Sequence, residues 1–88
     1  MKFELGKIVI TADANKVLDN VSVAKIFLER YLKGDWGNLC EDDKQLNEDA
    51  LKNGDRIFAS YTDTNGTKFW IITDADRSYT TILLPEDY

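Results

Sequence analysis

Apolar positions recur with a helical period over the first part of this chain and with a period of two beyond Arg56. Phe3 to Thr11 opens as a strand, with Ile8, Val9 and Ile10 as a β-branched run. Thr11 or Asp13 can cap a short helical stretch through Asn15, Val17 and Leu18. Ser22 is a good N-cap for a longer helix, and Val21 and Ile26 fit a hydrophobic staple around it. Val23, Ile26, Phe27 and Tyr31 share one face of that helix, widened by Leu28 and Leu32, and Gly34 ends it. After the turn Asp35-Trp36-Gly37-Asn38, a second helix is expected from about Asp42 to Asn53, with acids in its first turn and Gly54 as its stop. Its inner side takes Leu39, Asp43, Leu46, Asn47, Ala50 and Leu51. Asp43 and Asn47 are thus polar i, i+4 neighbours on an otherwise apolar stripe.

Two strand patterns, Ile57–Thr62 and Lys68–Thr73, flank Asp63-Thr64-Asn65-Gly66. Asn-Gly between such runs signals a tight hairpin, since both central residues must accept positive φ. A two-residue Asn65-Gly66 loop sets Asp63 opposite Lys68 and Tyr61 opposite Trp70. A second turn through Asp74-Ala75-Asp76-Arg77-Ser78 leads into Tyr79–Leu84. This register puts Ile57, Ala59, Tyr61, Trp70, Ile72, Ile82 and Leu84 on the helix side. It leaves Phe58, Phe69, Ile71, Tyr79 and Leu83 on the other side, among Ser60 and Thr81.

The expected fold is a single α+β domain over residues 1–88, in the order β-α-α-β-β-β. Two main helices cover one face of an antiparallel sheet of three strands, which the N-terminal strand can join as a fourth.

Composition narrows the chemistry. The chain has no histidine and a single cysteine, Cys40. A Cys/His zinc site, a Ser/His or Cys/His nucleophilic pair and an internal disulfide are therefore excluded. The lone thiol fits a reducing compartment, so a cytoplasmic location is expected. No run of apolar residues is long enough to span a membrane, and Met1 to Gly6 lacks the apolar stretch of a signal peptide. The net charge of −5 resides wholly between Asp35 and Asp55, where seven acids meet two bases. Such a field disfavours direct nucleic-acid binding and is compatible with a basic protein partner; as a solvated helix face it also serves solubility.

Three constellations are candidates for function. Asp35, Trp36, Asp43, Asn47 and Arg56 can assemble a polar ligand pocket, or equally a structural hydrogen-bond network in which Arg56 answers the inward polar pair. Asp74 and Asp76 share one loop and could hold a divalent metal, but turn chemistry alone explains aspartate and serine there. Phe58, Phe69, Ile71, Tyr79 and Leu83 form a mixed aromatic and aliphatic face suited to a protein partner or a homodimer. Cys40 precedes a helix start, yet the acids around it oppose thiolate formation. No cofactor is expected.

Gly34-Asp35-Trp36-Gly37, the spaced Asp43 and Asn47, and Trp70-Ile71-Ile72-Thr73-Asp74-Ala75-Asp76-Arg77-Ser78 together resemble a family of small uncharacterised bacterial proteins known as plasmid-related. The resemblance covers nearly the whole chain and is most specific at its C-terminal end; Asp74 stands where that family's pattern has Glu. It implies a setting in bacterial mobile elements and no mechanism. The sequence therefore points to a non-enzymatic interaction or regulatory module, with a small-ligand binder and a metal-dependent enzyme at Asp74/Asp76 as the rivals.

Overall fold

The computed structural model describes residues 3–17, 21–63 and 66–88. Four strands, β1 (Lys7–Ile10), β2 (Ile57–Thr62), β3 (Lys68–Thr73) and β4 (Tyr79–Leu83), form one sheet in the order β1-β4-β3-β2. Between β1 and β2 run three helices, α1 (Ala12–Val17), α2 (Val21–Leu32) and α3 (Glu41–Asn53). A 3-10 turn, Pro85–Asp87, closes the chain. The architecture is α+β. The sheet is mixed and not antiparallel throughout, because β1 runs parallel to β4, and a third helix separates β1 from β2.

Thr11 caps α1, its hydroxyl accepting the Ala14 N–H at 3.2 Å. α2 already begins at Val21, so Ser22 lies within its first turn and is not its N-cap; the Val21 side chain of the expected staple lies outside the described residues. Phe27 and Tyr31 of α2 are buried, but Ile26 is 58% exposed, so the inner stripe is narrower than the pattern suggested. On α3, Asn47 and Ala50 are buried while Leu46 is 64% exposed.

The hairpin departs from the expected register by one residue. The Asp63 N–H donates to the Thr67 carbonyl at 3.0 Å, leaving three residues between the paired positions. The Asp63 carboxylate accepts the Thr67 N–H at 2.9 Å, and Gly66 takes the left-handed residue with φ 82°. A side-chain bond of this kind favours the wider loop with glycine at its last position over a two-residue turn. Thr64 and Asn65 lie outside the described residues.

Since side chains alternate along a strand, that slip exchanges the two faces of β3. Tyr61 stands opposite Phe69 and Ser60 opposite Trp70, so the expected Tyr61–Trp70 pair does not form. Phe69 and Ile71 are fully buried under the helices, and Phe27 packs its ring edge-on against Phe69 at 4.9 Å. Ile57, Ala59, Tyr61 and Ile82 complete that core as expected.

A chain of hydroxyls threads this core. Thr80 Oγ1 donates to the Leu5 carbonyl at 2.7 Å. It must then accept from Thr73 Oγ1, 2.8 Å away, which in turn accepts from the Tyr31 hydroxyl at 2.8 Å. Tyr31, Thr73 and Thr80 are all fully buried, and each hydroxyl has a partner. Burial pushes the Tyr31 and Tyr61 phenols far above their usual range.

Candidate functional site

On the sheet face away from the main core, over β2 and β3, lies a recess of about 230 Å³ lined by Arg56, Phe58, Trp70, Ile72 and Tyr88. Phe58 precedes Ser60, the residue opposite Trp70, so their rings meet diagonally across two strands, 5.2 Å apart and nearly perpendicular. The C-terminal turn folds back over the sheet, its Asp87 N–H bonded to the Leu84 carbonyl at 2.9 Å. It carries the Tyr88 ring to 5.5 Å from Trp70. The Arg56 guanidinium lies 5.8 Å from the centre of the Tyr88 ring and donates to its hydroxyl at 3.1 Å. The recess is thus walled by aromatic faces with a cation at its rim.

The partner face expected from the sequence is therefore partly relocated. Phe58, Tyr79 and Leu83 lie on the second face, Tyr79 being 46% exposed and Phe58 half-buried, but Leu83 is buried. Phe69 and Ile71 belong to the core, and Trp70 and Ile72 take their place. Tyr88 was missed altogether. A three-residue reading of the Asp63–Thr67 loop would have found Trp70 and Ile72; no pattern in the chain announces that the last turn folds over them.

The expected polar pocket does not assemble. Asp35 accepts from Arg30 at 2.7 Å and from the Gly37 N–H at 3.0 Å, and the Arg30 hydrogen bond holds its carboxyl below the usual range. Trp36 plugs the core, 3% exposed, with its indole N–H donated to Glu48 at 2.9 Å. Arg56 turns to Tyr88 and makes no bond to Asp35, Asp43 or Asn47. Asp43 is half-buried on α3.

Asn47 has a different task. Its side-chain oxygen accepts the Phe58 N–H at 3.1 Å and its amide donates to the Phe58 carbonyl. A primary amide carries the same donor and acceptor pair as a peptide group, so Asn47 pairs with the outer edge of β2 as a neighbouring strand would. Two residues on, the Asn38 N–H donates to the Ser60 carbonyl at 2.7 Å and the Ser60 N–H to Trp36 at 3.4 Å. The segment Trp36–Asn38 can lie this close because Gly37 has φ 72° and no side chain; a Cβ there would collide with the Ser60 carbonyl oxygen and the Tyr61 ring. The Gly-Asp-Trp-Gly segment is a device that seals a sheet edge and plugs the core.

The loop at Asp74 and Asp76 is likewise structural in its bonding. The Asp76 carboxylate accepts the Ser78 hydroxyl at 2.6 Å and its N–H at 3.0 Å, which lowers its pKa. Arg77 donates to backbone carbonyls of Asp55, Asp74, Ala75 and Ala50 at 2.7–3.3 Å. It ties this loop to the C-terminal end of α3, where the Ala50 carbonyl also accepts the Gly54 and Asp55 N–H groups. Among the described residues no group of three or more cysteine, aspartate or glutamate side chains could hold a metal ion. No described helix is long and apolar enough to cross a membrane. Comparison with family models, curated proteins and solved structures finds no match for this chain.

Proposed function

We propose that this chain is a non-enzymatic protein-interaction module, of the mobile-element setting its motifs suggest, and that it binds through the open sheet face. The observation that supports this reading is the recess of Arg56, Phe58, Trp70, Ile72 and Tyr88. Tryptophan, tyrosine and arginine around a pocket are the residue types that dominate binding energy at protein interfaces. Arginine carries five N–H donors, and Arg56 gives one of them to the Tyr88 hydroxyl. The matching ligand is a protein segment that offers a large apolar side chain to the ring walls and a neighbouring carboxylate to the guanidinium.

Selection from a displayed random-peptide library against the immobilised protein tests this. The expected peptides share an apolar residue beside an acid, perturb the amide resonances of Phe58 and Trp70, and lose at least tenfold in affinity to Trp70→Ala and Arg56→Ala. Peptides that perturb only other surfaces, or that bind both variants as tightly as the native chain, overturn the reading.

A further inference from the structure

The two edges of the sheet are treated differently. At β2 the outward N–H and C=O of Phe58 and Ser60 are taken by Asn47, Trp36 and Asn38. β1 forms the other edge of the sheet, and all four of its residues are exposed. Lys7 and Thr11 direct their N–H groups to Ser78 and Ile82 of the β4 side, at 2.9 and 3.0 Å. By the alternation of a strand, Val9 faces β4 as well, and the N–H and C=O of Ile8 and Ile10 point away from the sheet. The strand is also apolar where it is bare: Ile8, Val9 and Ile10 are 49%, 39% and 36% exposed. An open, aliphatic edge of this sort is a template for another strand, and folded proteins ordinarily blunt it, as this one does at β2.

We propose that β1 is the homodimer interface of this protein, pairing antiparallel with β1 of a second copy about a two-fold axis at Val9. In that register Ile8 of each copy stands opposite Ile10 of the other, so the four outward groups on each strand are satisfied reciprocally. Val9 faces its own equivalent as a non-hydrogen-bonded pair, and Lys7 stands opposite Thr11.

The charges select a second copy in this orientation. Thr11 Oγ1 donates to the Asp87 carboxylate at 2.7 Å, so one end of β1 carries Asp87, with Asp13 and Glu86 beside it. The hydrogen bond and charge of Asp87 hold the Asp13 carboxyl above its usual range, the mark of crowded acids. The other end carries Lys7. Antiparallel self-pairing brings each Lys7 to the other copy's acids, on the face that Lys7, Val9 and Thr11 share; a parallel pairing would set acids against acids.

The test uses disulfide trapping in a Cys40→Ala background, which removes the exposed native thiol. Non-hydrogen-bonded antiparallel pairs have Cα atoms about 4.5 Å apart, within the range a disulfide spans. Val9→Cys should therefore give a covalent dimer under mild oxidation at least tenfold faster than Ile8→Cys or Ile10→Cys. Sedimentation velocity of the otherwise native chain should show a mass rising toward the dimer with concentration. Ile8→Pro should hold it at the monomer mass without loss of fold, because the N–H it removes is not used by β4. Equal trapping rates at the three positions, a native chain that stays monomeric at the concentrations of solution NMR, or an Ile8→Pro variant that folds and still dimerises, would each refute the proposal. A partner strand from another protein, the competing occupant, would leave Val9→Cys untrapped.

Discussion

Replacing Asn47 by alanine isolates the bond that seals β2. The side chain is 4% exposed and meets both the N–H and the carbonyl of Phe58. Alanine removes two hydrogen bonds, each with a net contribution of about 0.5–1.5 kcal/mol, and leaves a donor and an acceptor that water reaches poorly. The expected cost is about 2–4 kcal/mol. A domain of this length has a total stability of about 4–13 kcal/mol. At about 4–8 °C per kcal/mol for a domain of this size, the midpoint of thermal unfolding by circular dichroism should fall by at least about 8 °C. Asn47→Asp sharpens the test. The carboxylate still accepts the Phe58 N–H but sets a second oxygen against the Phe58 carbonyl. Protonation restores a donor, so the folded state raises this carboxyl's pKa, and the variant's deficit should shrink as the pH falls toward about 4. An alanine variant melting within about 3 °C of the native chain, or an aspartate variant with the same deficit at pH about 4 and about 7, would refute the strand-mimic argument.

Two further outcomes follow from the buried hydroxyls. Thr80→Val strips Thr73 of its acceptor and Leu5 of its donor, whereas Thr73→Val leaves Tyr31 the Ile57 carbonyl at 3.2 Å; urea unfolding should find Thr80→Val the more destabilising by about 1 kcal/mol, with the double variant costing less than the sum. Tyr31 and Tyr61 have folded pKa values raised above the unfolded one, so their contribution to stability is complete below about pH 10 and is lost as the pH rises beyond it. Tyrosinate absorbance of these two residues should therefore appear together with the loss of circular dichroism, and not before it.

The helical half of the chain was legible because its signals are local. Thr11 before Asp13, the Phe27 and Tyr31 spacing, and Gly54 after Asn53 act within one or two turns, and the structure places α1, α2 and α3 around them. The sheet failed at a single residue. Asn65-Gly66 satisfies the pattern of a two-residue turn, but the Asp63 carboxylate competes by binding the Thr67 N–H, and the loop widens. That one step left β2 and β4 on their expected faces and reversed β3, so Trp70 was assigned to the core and Phe69 to a surface.

The polar candidates show a deeper limit. Asp43 and Asn47 on an apolar stripe, with Arg56 nearby in sequence, read equally as a pocket or as a network, since residue type states what a side chain can bond and not what lies across from it. Asn47 found a strand edge, and Arg77 found four backbone carbonyls. Both amide and guanidinium bond backbone as readily as they bond a ligand. A polar group buried in a small α+β domain is therefore weak support for a site until its partners are known. Arg56 gains significance by the same reasoning: with Asn47 committed to β2, its guanidinium is directed to the opposite face, beside the rings of Trp70 and Tyr88, where a ligand can still reach it.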